Sequence, residues 1–127
     1  MRFPLGTRYA DYDTKGHVNN AVYLTYFEMA RERAWVDALG ERSVDFPFIL
    51  AEASVRYLSE AMIGDALEIE IGTAEVRTKA WVWTYTIRRS RDGVVVADGR
   101  TVQVMFDYES KRSIPIPDDL RARLPRV

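Results

Sequence analysis

Between residues 21 and 39 the chain contains neither glycine nor proline, and from Phe48 onward its apolar residues change from a helical repeat to alternation. That change limits the fold more than any other feature. One long early helix followed by four consecutive strand-like segments cannot make a parallel βαβ protein, which needs a helix after each strand. A curved antiparallel sheet wrapped around the helix satisfies the pattern, and the predicted class is α+β.

Asn19 or Asn20 is a suitable N-cap and Gly40 a stop signal, so a helix over 21–39 should measure roughly 28 Å at ~1.5 Å per residue. Its apolar positions (Val22, Tyr23, Tyr26, Phe27, Met29, Ala30, Ala34, Trp35, Ala38, Leu39) exceed one narrow stripe, which predicts that most of its surface is buried. Tyr23, Tyr26, Phe27 and Trp35 read as core, with Tyr23 also near the polar segment before the helix. The later strands are 48–58, 66–76, 80–89 and 94–108, and Leu67-Glu68-Ile69-Glu70-Ile71 alternates most cleanly. Breaks fall at Gly64-Asp65, Arg77-Thr78-Lys79 and Arg91-Asp92-Gly93, the last a hairpin turn by its Asp-Gly pair. A first strand starts at Phe3 and ends at about Arg8 or Ala10, and a helical turn closes 118–124. Trp81, Trp83 and Tyr85 share one strand face, which needs a packing partner or an interface. Gly72 and Gly99 lie inside strands, where glycine signals a bulge or close approach of a helix.

The chain has 127 residues, a length suited to one domain over 1–127. It has no cysteine, so a disulfide framework, a thiolate nucleophile and a Cys-type zinc site are excluded. The single histidine makes a metal centre a poor expectation. A net charge of -1 gives no general reason to bind nucleic acid or an anionic membrane. The first residues lack a signal-peptide core and no run approaches a membrane span, so a cytoplasmic protein is the expectation. Basic residues do cluster at Arg88-Arg89-Ser90-Arg91, at Lys111-Arg112 and between Arg121 and Arg126. Such groups are ordinarily solvated surface, yet a diphosphate would find partners there.

Residues 8–31 carry the chemistry. Asp11, Asp13, His17, Asn19 and Asn20 form a polar hinge running straight into the apolar helix. An acid or base, an imidazole and the open N-terminus of a helix are the parts needed to attack and polarise a carbonyl. The order Asp-x-Asp-x-x-Gly-His-Val-Asn-Asn-x-x-Tyr, followed by Tyr26-Phe27-Glu28 and Arg31, resembles the hotdog-fold thioesterases of the 4-hydroxybenzoyl-CoA thioesterase type, including the plant acyl-ACP thioesterases. The resemblance implies the hotdog strand order and wrapping, and hydrolysis of an acyl-CoA or acyl-ACP thioester without cofactor or metal.

By that resemblance Asp13 is the catalytic carboxylate, as general base or nucleophile, and the backbone N–H at Asn20 is the oxyanion donor. An aspartate in such a loop otherwise makes an Asx-turn or caps a helix. Asp11 either shares the pocket, raising the Asp13 pKa, or braces the loop by pairing with Arg8 or Arg31. His17 is assigned a part in catalysis in the acyl-ACP branch, but that branch has Asn where this chain has Lys15, which favours a carboxylate-centred mechanism with His17 assisting. Tyr23 and Glu52 are further substrate-binding candidates, Glu52 by reaching a second subunit's pocket; an exposed strand face is the simpler place for it. The resemblance puts coenzyme A contacts at Arg77 and Lys79, with Arg88, Arg89 and Arg91 next.

Two other functions fit the same fold, a non-catalytic acyl-binding module and a hydratase or dehydratase. Sheet edges and the Trp81, Trp83 and Tyr85 face need cover, which predicts a homodimer. The resemblance puts active sites at the subunit boundary and allows a tetramer of two dimers.

Overall fold

The computed structural model describes residues 1–39 and 47–125, with the side chains of Ala38 and Leu39 excepted. The stop signal at Gly40, the burial of Ala38 and Leu39, and Arg126 lie outside what is described.

The elements are β1 (Arg2–Leu5), a 3-10 turn (Tyr9–Asp11), α1 (Val22–Leu39), β2 (Phe48–Tyr57), β3 (Leu67–Val76), β4 (Ala80–Arg89), β5 (Val95–Asp107), β6 (Arg112–Ser113) and α2 (Asp118–Arg123). All strand pairings are antiparallel, in the order β1-β3-β4-β5-β2 with β6 on β5. The architecture is α+β, a curved sheet against one long helix, as the sequence predicts.

The first strand is shorter than predicted. It stops at Leu5, because the Asp11 carboxylate folds back on the Arg8 N–H at 2.8 Å while the Asp11 N–H donates to the Arg8 carbonyl at 2.9 Å. That reciprocal pair winds residues 9–11 into a turn.

Alternation in β3 works as expected: Leu67, Ile69 and Ile71 are buried, while Glu70 faces out to Arg2 and Arg88. The Trp81, Trp83 and Tyr85 face requires no second chain. All three side chains are buried, Trp81 stacking on Trp35 at 6.3 Å and Tyr85 on Phe27 at 4.3 Å. The helix of the same chain is the packing partner.

Helix α1 is less enclosed than its composition predicts. Tyr23, Tyr26, Phe27, Ala30, Ala34 and Trp35 are buried at the three- and four-residue spacing of one face, whereas Leu24 and Met29 are 42% and 39% exposed. One sheet covers one side of a helix. The helix runs along the sheet from Tyr57, whose ring meets Tyr23 at 5.5 Å, to Phe48, whose ring meets Trp35 at 5.2 Å.

Candidate active site

The polar hinge is folded by its own backbone. Asp13 N–H donates to the His17 carbonyl at 2.8 Å, Gly16 N–H to the Asp13 carbonyl at 3.1 Å, and Gly16 has a φ of 77°, a left-handed turn that a side chain would strain. The loop after β2 straps this turn down, with Val18 N–H on the Ala61 carbonyl at 2.8 Å and Ile63 N–H on the Gly16 carbonyl at 2.7 Å. His17 therefore has a fixed backbone.

The two aspartates separate completely. Asp11 is buried; its carboxylate accepts from the Arg8 N–H, the Arg8 guanidinium at 3.1 and 3.2 Å, and the Tyr26 hydroxyl at 3.0 Å. Burial works to raise its pKa, and these donors together hold it below the ordinary carboxylate value. Asp11 thus braces the loop through Arg8, while Arg31 turns to the Tyr85 hydroxyl at 3.5 Å. Asp11 and Asp13 share no pocket.

Asp13 is exposed, and one oxygen, Oδ1, accepts the N–H groups of Lys15 at 2.9 Å and His17 at 3.1 Å. The Lys15 N–H is the largest reason its pKa is lowered, so the carboxylate is ionised at neutral pH. Its other oxygen has no hydrogen-bond partner among the described residues. A base or nucleophile needs that combination, one oxygen anchored and one open.

His17, Asn20, Tyr23 and Tyr57 line a cleft of about 280 Å³ together with the 58–61 loop. His17 Nε2 lies 3.7 Å from a Glu60 carboxylate oxygen. Burial pushes the Tyr23 hydroxyl up to about 12, which keeps it neutral. Asn19 is the residue that caps: its Oδ1 accepts the Ala21 N–H at 3.0 Å and its carbonyl the Val22 N–H at 3.0 Å. The Asn20 N–H has no acceptor among the described residues, so a donor is left open beside the cleft at the positive end of α1.

The substrate-binding candidates divide. Tyr23 belongs to the cleft. Glu52 is exposed mid-strand on β2, paired in register with Val102, and lines a separate hollow with Ser54 and Arg100. Arg77 and Lys79 sit in the β3–β4 turn beside Trp81, at the Trp35 end of α1, ~22 Å along the helix from Asn20 at 1.5 Å per residue. One chain does not bring them to the cleft. Arg89 does approach it, donating to the Glu60 carbonyl at 2.9 Å, but its guanidinium is also held by Asp92, and Arg88 and Arg91 pair with Glu70 and Asp65. Sequence reasoning missed Tyr57 and Glu60 at the cleft. Their only signal was position, at the end of a strand whose partner in space was unknown.

Among the described residues no three His, Asp or Glu side chains stand close enough to hold a metal ion, and no helix is long and apolar enough to cross a membrane. The model of the thioesterase-like superfamily matches residues 7–124. The chain belongs to that superfamily. Among relatives of this thioesterase-like chain, the long-chain acyl-CoA thioesterase FadM of Escherichia coli K12 is 28% identical over 123 residues, covering 91% of this chain and 89% of FadM. The 1,4-dihydroxy-2-naphthoyl-CoA hydrolase of Thermosynechococcus vestitus is 30% identical over 125 residues, covering 91% and 82%. A thioesterase of Thermus thermophilus, solved with coenzyme A and zinc, superposes with a TM-score of 0.84 at 29% identity, covering 97% of this chain and 90% of that one. The fold of this superfamily member is the hotdog.

Proposed function

We propose that the protein hydrolyses an acyl-CoA thioester to the free acid and coenzyme A. The observation that carries this reading is the open Asn20 N–H at the start of α1, beside the cleft that His17 lines and in the same loop as an ionised Asp13. The names of the relatives support coenzyme A as the carrier and do not favour the non-catalytic or hydratase alternatives. In this reading the free Asp13 oxygen takes a proton from water as the water oxygen bonds to the thioester carbon, or attacks that carbon itself to give a transient anhydride. The Asn20 N–H stabilises the oxyanion, and collapse breaks the C–S bond. In the first route the thiolate leaves with the proton taken from water. In the second it leaves as the anhydride forms, after which water cleaves the anhydride to give the free acid, the proton for the thiolate and the restored Asp13 carboxylate. His17 orients or assists. Thiol release from a panel of acyl-CoAs tests the activity, with enoyl-CoA absorbance followed in parallel. A folded protein that releases no thiol from any of them would refute it.

Arg77 and Lys79 serve the nucleotide end of coenzyme A in this proposal, at the site of a second subunit. Their replacement by Ala together should raise KM for acyl-CoA more than it lowers kcat, because phosphate anchoring acts equally on ground and transition states. Arg77 is already chelated by Glu75 at 2.9 and 3.1 Å, while Lys79 has no carboxylate partner among the described residues. Lys79→Ala alone should therefore carry most of the effect. An unchanged KM in the double variant moves the nucleotide to Arg88, Arg89 and Arg91.

In the same proposal the second subunit seats on β2. This ten-residue strand is the longer of the two sheet edges, eight of its residues are exposed, and Ile49 and Leu50 are 38% and 45% exposed on it. A long edge with apolar side chains invites pairing with its own copy. Specific activity should fall when the protein is diluted below its dimer dissociation constant. A fully active monomer by light scattering at assay concentration excludes both the dimer and any cross-subunit role for Glu52.

A further inference from the structure

We infer that Tyr57 is a positioning residue for the oxyanion donor, acting through the peptide groups on either side of Asn20. The inference rests on the assignment of the Asn20 N–H above and adds the device that aims it. An N–H points where its peptide plane points, and that plane is fixed only when its flanking carbonyls and amides are held. The peptide before Asn20 is held by its carbonyl, that of Asn19, which accepts the Val22 N–H at 3.0 Å. The peptide after Asn20 is held at both ends. Its N–H, on Ala21, donates to Asn19 Oδ1 at 3.0 Å, and its oxygen accepts the Tyr57 hydroxyl at 2.9 Å.

Only the last of these bonds comes from outside the helix start. Tyr57 stands at the end of β2, pairs with Ala97 of β5, and sets its ring edge-on to Tyr23 at 5.5 Å and 68°. It thus ties the N-terminus of α1 to the sheet at the wall of the cleft. The Asn20 carbonyl would otherwise be free to turn toward the fourth amide along, as in a regular helix; the 20–21 peptide would turn with it, and because that peptide joins the one bearing the Asn20 N–H at a single Cα, the donor would lose the second of its two anchors. An oxyanion donor is effective only where it is already aimed before reaction, so loosening this anchor affects the transition state and leaves substrate binding alone.

Tyr57→Phe keeps the ring against Tyr23 and removes only the hydroxyl. It should lower kcat about tenfold with KM within about twofold, a fraction of the roughly 10²–10³ loss on deleting such a donor outright. Amide hydrogen exchange by NMR is the second readout: in Tyr57→Phe the Ala21 and Val22 amides, both held by Asn19, should exchange faster while those of Phe27 and Ala30 keep wild-type rates. Unchanged kcat in an active enzyme overturns the inference and leaves the hydrolase reading standing. Unchanged exchange at Ala21 and Val22 overturns it even if the wild-type protein hydrolyses no thioester. A kcat loss accompanied by faster exchange throughout α1 also overturns it, since Tyr57 would then be stabilising the helix generally.

Discussion

Asp13→Asn should reduce kcat by about a hundredfold or more, the scale of a lost general base or nucleophile, in a protein that still folds. The substitution separates two duties of one side chain. Asparagine retains an oxygen for the Lys15 and His17 amides, so the turn persists, while the charge and the free carboxylate oxygen disappear. Asp13→Ala should match it in kcat yet melt lower, because those two amides lose their acceptor. Near wild-type turnover in either folded variant contradicts the mechanism. His17→Ala should be milder, as expected of an assisting group; a loss equal to that of Asp13→Ala points to a triad-like arrangement.

The pH profile provides an independent check. The Asp13 pKa is lowered, chiefly by the Lys15 N–H, so its ionised form persists below the ordinary carboxylate value. Activity that depends on that form is complete at neutral pH and is lost only as pH falls through the depressed value. The profile should stay flat down to the range where acid unfolds the protein. A limb between about pH 6 and 7, where imidazoles titrate, would show that the essential base is not Asp13.

Gly99→Ala should cost about 3 kcal/mol of stability or more, the upper range for forcing atoms into a packed core. A Cβ there would run into the Ser54 carbonyl oxygen on β2 and stand 2.5 Å from Phe27 Cε2. Neither neighbour can yield. The carbonyl belongs to the backbone of the paired strand, and the Phe27 ring is stacked on Tyr85 at 12°. Melting should drop by about 10 °C or more, whereas Gly6→Ala, where nothing lies within 4 Å, should stay within about 0.5 kcal/mol of wild type. A Gly99→Ala protein melting within about 2 °C of wild type would mean that α1 does not approach β5 this closely.

What the sequence determined is what local chemistry determines. The alternation of Leu67 to Ile71 and the glycine-free stretch of α1 give the elements, because each depends on side chains a few residues apart. The glycine at 99, inside a strand, marks a close approach, though not that Phe27 and Ser54 make it. The ordered motif around Asp13 and His17 gives the superfamily. Tertiary structure decided the rest. Asp11 and Asp13 are two residues apart and chemically identical, but one is buried under Tyr26 and the other is open, a difference set by where the 3-10 turn docks. Trp81, Trp83 and Tyr85 look like an interface until α1 is laid on them. Tyr57 is thirty-seven residues from Asn20 along the chain and 2.9 Å from it in space. No periodicity carries that contact, because strand pairing and helix docking create it only after the chain has closed on itself.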